Sequence, residues 1–176
     1  MNNTAEQIDT AATSSSPHQH LAALLDSQMP KSLLSVSMNP IPLLKQWCDK
    51  HDCALTEIAE LDPFSQLADT QRFDLVVVAD QLEYMNRHHG EELLGLVRNL
   101  HSNAMLVLYQ PAIAPSKLRW ALSDFLGMGL RKQATFNDSN REMSLYSYDL
   151  DNYNFTRSWN NARFWANPEN WGKYWW

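Results

Sequence analysis

Cysteine, clustered basic charge and long apolar runs are scarce in this 176-residue chain, and each scarcity closes off a class of function. Two cysteines, Cys48 and Cys53, are too few for a disulfide framework, and they bracket the end of a helix and the start of a strand. A reduced, cytoplasmic setting is expected. Fourteen Lys and Arg stand against twenty Asp and Glu, for a formal charge of −6 and no basic cluster. No general affinity for nucleic acid is therefore expected, since phosphates require a clustered basic surface. No apolar stretch approaches the roughly 20 residues of a spanning helix, and the polar N-terminus lacks a basic-then-apolar signal. The five glycines form no phosphate-binding loop and no Gly-x-Ser-x-Gly elbow, and no metalloprotease helix is present. Hydrolase and nucleotide-triphosphatase readings have no support.

What is present is an ordinary globular composition, 44% hydrophobic and 19% charged, at a length suited to one domain. Residues 1–17 are small and polar and read as a flexible leader. Leu21, Leu24, Leu25 and Met29 then recur at helical spacing, with Pro30 closing the segment. Ser32 to Met38 reads as a strand, Asn39-Pro40 as a turn, and Pro42 as the first turn of a helix running to about Lys50. Cys53 to Leu61 alternates as a second strand, with a helix as the alternative reading. The stretch 62–72 has room for one short helix only. A helix is expected from about Gly90 to His101, preceded by His88 and His89 in a loop. Asn103 to Tyr109 reads as a buried strand, Ser116 to Leu126 as a helix, and the segments around a polar loop near residue 139 as a closing hairpin.

The most informative segment is FDLVVVADQLEYM, from Phe73 to Met85. An all-apolar run suits a strand covered on both faces, and the acids Asp80 and Glu83 follow at its carboxyl end, where open α/β sheets hold their ligands. This segment, with NAMLVLYQP and the terminal hairpin, resembles the class I S-adenosylmethionine-dependent methyltransferase family over about residues 18–150. The resemblance implies a three-layer, Rossmann-like α/β fold with a mainly parallel sheet and a C-terminal antiparallel hairpin. One strand is missing or merged in the stretch 62–72.

In that family the first strand leads into a glycine-rich turn that brings the cofactor close to bare backbone amides. Here LLSVSMNPI stands in its place, with Ser35 where an acid is usual and Ser37, Asn39 and Ile41 where glycines are. The motif is degenerate. Two readings follow. In one, the protein has lost ordinary cofactor binding, uses no cofactor and acts as a binding or scaffolding protein. In the other it is an active methyltransferase with S-adenosylmethionine held by Ser37, Asn39 and Asp80. Glu60 or Asp62 then takes the ribose, Asp80 and Glu83 lie near the transferred methyl, and Tyr84 stacks on a ligand. A plainer role for the same acids has Asp80 capping the next segment and Glu83 in solvent, with Leu82 and Met85 packed inward.

Residues 151–176 hold five of the seven tryptophans, Trp159, Trp165, Trp171, Trp175 and Trp176. Rings that bury roughly 150–250 Å² each either dock on the domain and complete its core or anchor a protein partner. Cys48, His51 and Cys53 match no closed zinc pattern. Cys48 and Cys53 read as small buried hydrophobes and His51 as a helix-end residue.

Overall fold

The structure is a computed structural model, and it describes residues 16–138, 141–150, 161–164, 166–171 and 173. Its centre is a six-stranded sheet of order β2-β1-β3-β4-β6-β5. The strands are β1 (Ser32–Ser37), β2 (Ala54–Ile58), β3 (Phe73–Ala79), β4 (Ser102–Tyr109), β5 (Arg131–Asp138) and β6 (Arg141–Asp149). β2, β1, β3 and β4 are parallel, and the β5–β6 hairpin adds two antiparallel strands beyond β4. The stretch 62–72 supplies only a five-residue helix, α3 (Phe64–Ala68), so β2 is left as an edge.

β3 is apolar at every position from Leu75 to Ala79 because both of its faces are covered. Leu75 and Val77 pack with Leu106 of β4 under α1 (Pro17–Gln28) and α2 (Pro42–His51), which contribute Leu21, Leu25, Leu44 and Trp47. Val76 and Val78 face the opposite way with Val107, under α3, α4 (Arg87–Leu96) and α5 (Leu122–Gly127). The twofold alternation along the strands thus divides the core into two layers. At the amino-terminal end of the sheet, Asp74 accepts the backbone amides of Lys31 at 2.9 Å and Ser32 at 3.0 Å, pinning the start of β1 to β3.

Two sequence expectations give way to tertiary structure. α4 begins at Arg87, not near Gly90, because Asn86 caps it by accepting the amide of His89 at 3.0 Å; His88 and His89 are therefore helical and not in a loop. The helix expected over Ser116–Leu126 breaks in two, a 3-10 turn at Ser116–Leu118 and then α5. The break lets Trp120 bury its ring at 5% exposure while its amide donates to the Tyr109 hydroxyl at 2.9 Å. An apolar ring of this size outweighs the continuity of one short helix.

Candidate functional site

The chain leaves β1 toward β2 on one side and returns to β3 on the other, so the topological switch point falls between the carboxyl ends of β1 and β3. α1 and α2 run antiparallel to these strands and bring their amino-terminal residues to the same edge. A pocket of about 460 Å³ opens there, within the ~300–1,000 Å³ range usual for small-molecule sites. Ser37 and Asn39 reach it from beyond β1, Ala79, Asp80 and Tyr84 from the end of β3, and Leu108, Gln110 and Ile113 from β4 and its loop. Its remaining walls include His18 and Leu21 of α1 and Arg141 and Met143 of β6.

Three of the residues singled out from the strand-end pattern, Ser37, Asn39 and Asp80, are thus brought together, with Tyr84 beside them. The Ser37 hydroxyl donates to the Asn39 carbonyl at 2.7 Å and tightens the turn. Asn39 Nδ2 donates to the Asp80 carboxylate, so a hydrogen bond spans the mouth of the crevice. Asp80 holds a left-handed backbone at φ 49°, a conformation that Asp tolerates better than most side chains. The Asp80 carboxylate beside Tyr84 pushes that phenol above its ordinary pKa. Beyond Asn39, Pro40 lacks an amide hydrogen, Ile41 sits at the helix cap without a side-chain cap bond, and Pro42 opens α2.

Glu60 and Asp62 stand apart. Both are exposed, and neither lines the pocket. The backbone carbonyl of Glu60 accepts from Gln81 Nε2 at 2.7 Å, tying the end of β2 to the turn after β3.

Glu83 differs from both sequence alternatives. It is neither in solvent nor on the pocket wall, but 1% exposed beneath the turn. One carboxylate oxygen accepts the Gln110 amide at 2.7 Å, and the other is buried with no partner. Burial pushes the Glu83 carboxyl up from its ordinary range, and the Gln110 hydrogen bond offsets part of that rise. Leu82 and Met85 pack inward as their spacing implied.

Elsewhere, Cys48 is buried and Cys53 half-buried, and burial pushes the Cys48 thiol up to about 12. His51 ends α2 with its ring stacked on Trp47 at 4.4 Å. Among the described residues no group of three His, Cys, Asp or Glu side chains is placed to hold a metal ion. No helix among them is long and apolar enough to cross a membrane. Trp159, Trp165, Trp175 and Trp176 lie outside the described residues; Trp171 is described and 38% exposed.

Arg141, His18 and Gln110 were not anticipated as site residues. No local motif marks them, because they arrive at the pocket through the hairpin register and the direction of α1. The one available signal was topological: any residue just past the carboxyl end of a central parallel strand, such as Gln110 after β4, faces this edge.

The sheet order and helix layers define the fold of S-adenosylmethionine-dependent methyltransferases, and solved structures agree. Magnesium protoporphyrin IX methyltransferase from Synechocystis PCC 6803, solved with bound S-adenosylmethionine, superposes with a TM-score of 0.52 at 12% identity, covering 74% of this chain and 76% of that one. A putative O-methyltransferase from Nostoc punctiforme PCC 73102 gives a TM-score of 0.51 at 14% identity, over 74% of this chain and 55% of that one. At such identities the likeness is one of fold. The chain itself belongs to DUF6231, a family of unknown function whose model matches residues 15–176. No curated protein matches the sequence.

Proposed function

We propose that this protein is a methyltransferase-fold binding protein that has given up ordinary S-adenosylmethionine binding and retains a ligand pocket at the carboxyl edge of its sheet. The turn after β1 carries the proposal. Where a cofactor's carboxylate would meet bare amides, Pro40 and Pro42 supply none and Ile41 adds a branched side chain. The Asn39–Asp80 hydrogen bond occupies the crevice between β1 and β3. The acids nearest the end of β2, Glu60 and Asp62, lie outside the pocket, so a ribose seated between them and the turn has no enclosed site. Glu83, buried and bonded to Gln110, is withdrawn from any methyl-transfer role at the pocket surface.

Exposed Phe164 and Trp171 support a second part of the proposal, that the aromatic C-terminal segment anchors a protein partner. Mass spectrometry of small molecules released by denaturing freshly purified protein tests the cofactor half. Neither S-adenosylmethionine nor S-adenosylhomocysteine is expected; stoichiometric recovery of either would overturn it.

A further inference from the structure

The polar groups of the 460 Å³ pocket are unevenly satisfied. Asp80 already accepts from Asn39. Among the described residues Arg141 has neither an acidic partner nor a hydrogen-bond acceptor. The register of β4 against β6 pairs Leu108 with Leu145 and Tyr109 with Ser144, which carries Met143 and Arg141 past the end of β4 alongside Gln110. β3 and β6 are two strand positions apart, roughly 10 Å at the usual inter-strand spacing. The pocket therefore has a carboxylate already bonded to Asn39 at one end and an unpaired guanidinium at the other.

His18, at the positive end of the α1 dipole, lies on the same wall. The amides of α1 itself are largely taken, with Ser16 and Gln19 forming a reciprocal capping box and Pro17 having none to give, which leaves the Arg141 guanidinium as the pocket's unpaired charged donor. Between the two ends the surface is apolar, with Leu21, Ile41, Leu108, Ile113 and Met143.

We infer that the pocket binds a small amphipathic carboxylate, with its anionic head on Arg141 and its apolar body lying across Leu108, Ile113 and Met143 toward Tyr84. The inference rests on the proposed function in taking the pocket as a ligand site other than that of the usual cofactor. A guanidinium matches a carboxylate in a planar, two-bond geometry, and the apolar floor rewards a body that a free inorganic anion lacks.

The test is a titration of the full chain with octanoate, octylamine and 1-octanol, which share a body and differ in head charge, followed by amide chemical shifts. Octanoate is expected to shift residues 37–41, 80–84, 108–113 and 141–143 and to bind at least about tenfold more tightly than octylamine. Arg141→Gln, at an exposed position, is expected to reduce octanoate affinity to that of octanol and leave octanol binding unchanged. Ile113→Ser, also exposed, is expected to weaken octanoate and octanol alike. Equal affinity for the three probes, a preference for the amine, or no shift at these residues would overturn the inference. S-adenosylmethionine binding with the octanoate preference intact would instead overturn the proposed function alone.

Discussion

Gly90→Ala sets two effects of known sign against each other at a contact that shapes the α4 side of the core. Alanine in a helix interior is favoured over glycine by about 1 kcal/mol. A Cβ at Gly90, however, would lie 2.5 Å from Cζ2 of Trp120 and 3.3 Å from both Trp120 Cε2 and Leu82 Cδ2. The indole has little room to retreat. Phe125 lies 5.1 Å away and is itself stacked on Tyr146 at 3.9 Å, the Arg87 guanidinium covers the ring at 4.9 Å, and the Trp120 amide is held by Tyr109. Overpacking of this kind costs about 1–3 kcal/mol, so the net expectation is a loss of about 1 kcal/mol, and no more than about 2. Gly95→Ala is the matched control on the same helix. Its Cβ would meet only Met128 Cε at 3.9 Å, and a gain of about 0.5–1 kcal/mol is expected. Urea unfolding monitored by circular dichroism measures both, read as midpoint shifts at constant slope. The reasoning fails if Gly90→Ala is neutral or stabilising, or if the two variants shift in the same direction.

Glu83→Gln is expected to gain stability relative to wild type as pH rises. Burial raises the native carboxyl pKa above its ordinary value of 4.5, so its contribution is fully present below that value and is lost as pH rises through the native pKa. Urea unfolding at pH 4 and pH 8 should show the variant's advantage only at the higher pH, and a pH-independent difference would contradict the assignment. Asp74→Ala removes the acceptor for the Lys31 and Ser32 amides and should cost about 1–2 kcal/mol, measured by the same unfolding assay; a change below about 0.3 kcal/mol would show that β1 is anchored by other contacts. Cys48, buried with its pKa pushed up to about 12, should resist iodoacetamide at pH 8 until the protein is unfolded. Rapid native-state alkylation, read by mass spectrometry, would contradict its burial.

The parallel core was legible because Leu75 to Ala79 carry their burial in composition alone, and because Asn39-Pro40 and Asp80 mark the points where strands stop. Those same stops gave the Ser37, Asn39 and Asp80 side of the pocket. Glu83 was not legible. A charge three residues past a strand normally faces water, and this one is buried in part because the amide of Gln110, arriving from another strand, takes it as acceptor. Arg141 and His18 were hidden for a different reason. Their place depends on the antiparallel register of β6 and on the direction of α1, which no local pattern encodes. The break at Trp120 and the early start of α4 follow the same rule, in which one buried ring and one asparagine cap overrode helical periodicity.

Isothermal titration calorimetry of the folded, full-length protein with S-adenosylmethionine and S-adenosylhomocysteine tests the central claim most directly. The account predicts no binding up to millimolar ligand, because Pro40 and Pro42 remove two amides from the turn and Ile41 puts a branched side chain where the cofactor needs close backbone approach. Micromolar binding of either compound at one site per chain would contradict it and restore the pocket beside Asp80 as a cofactor site.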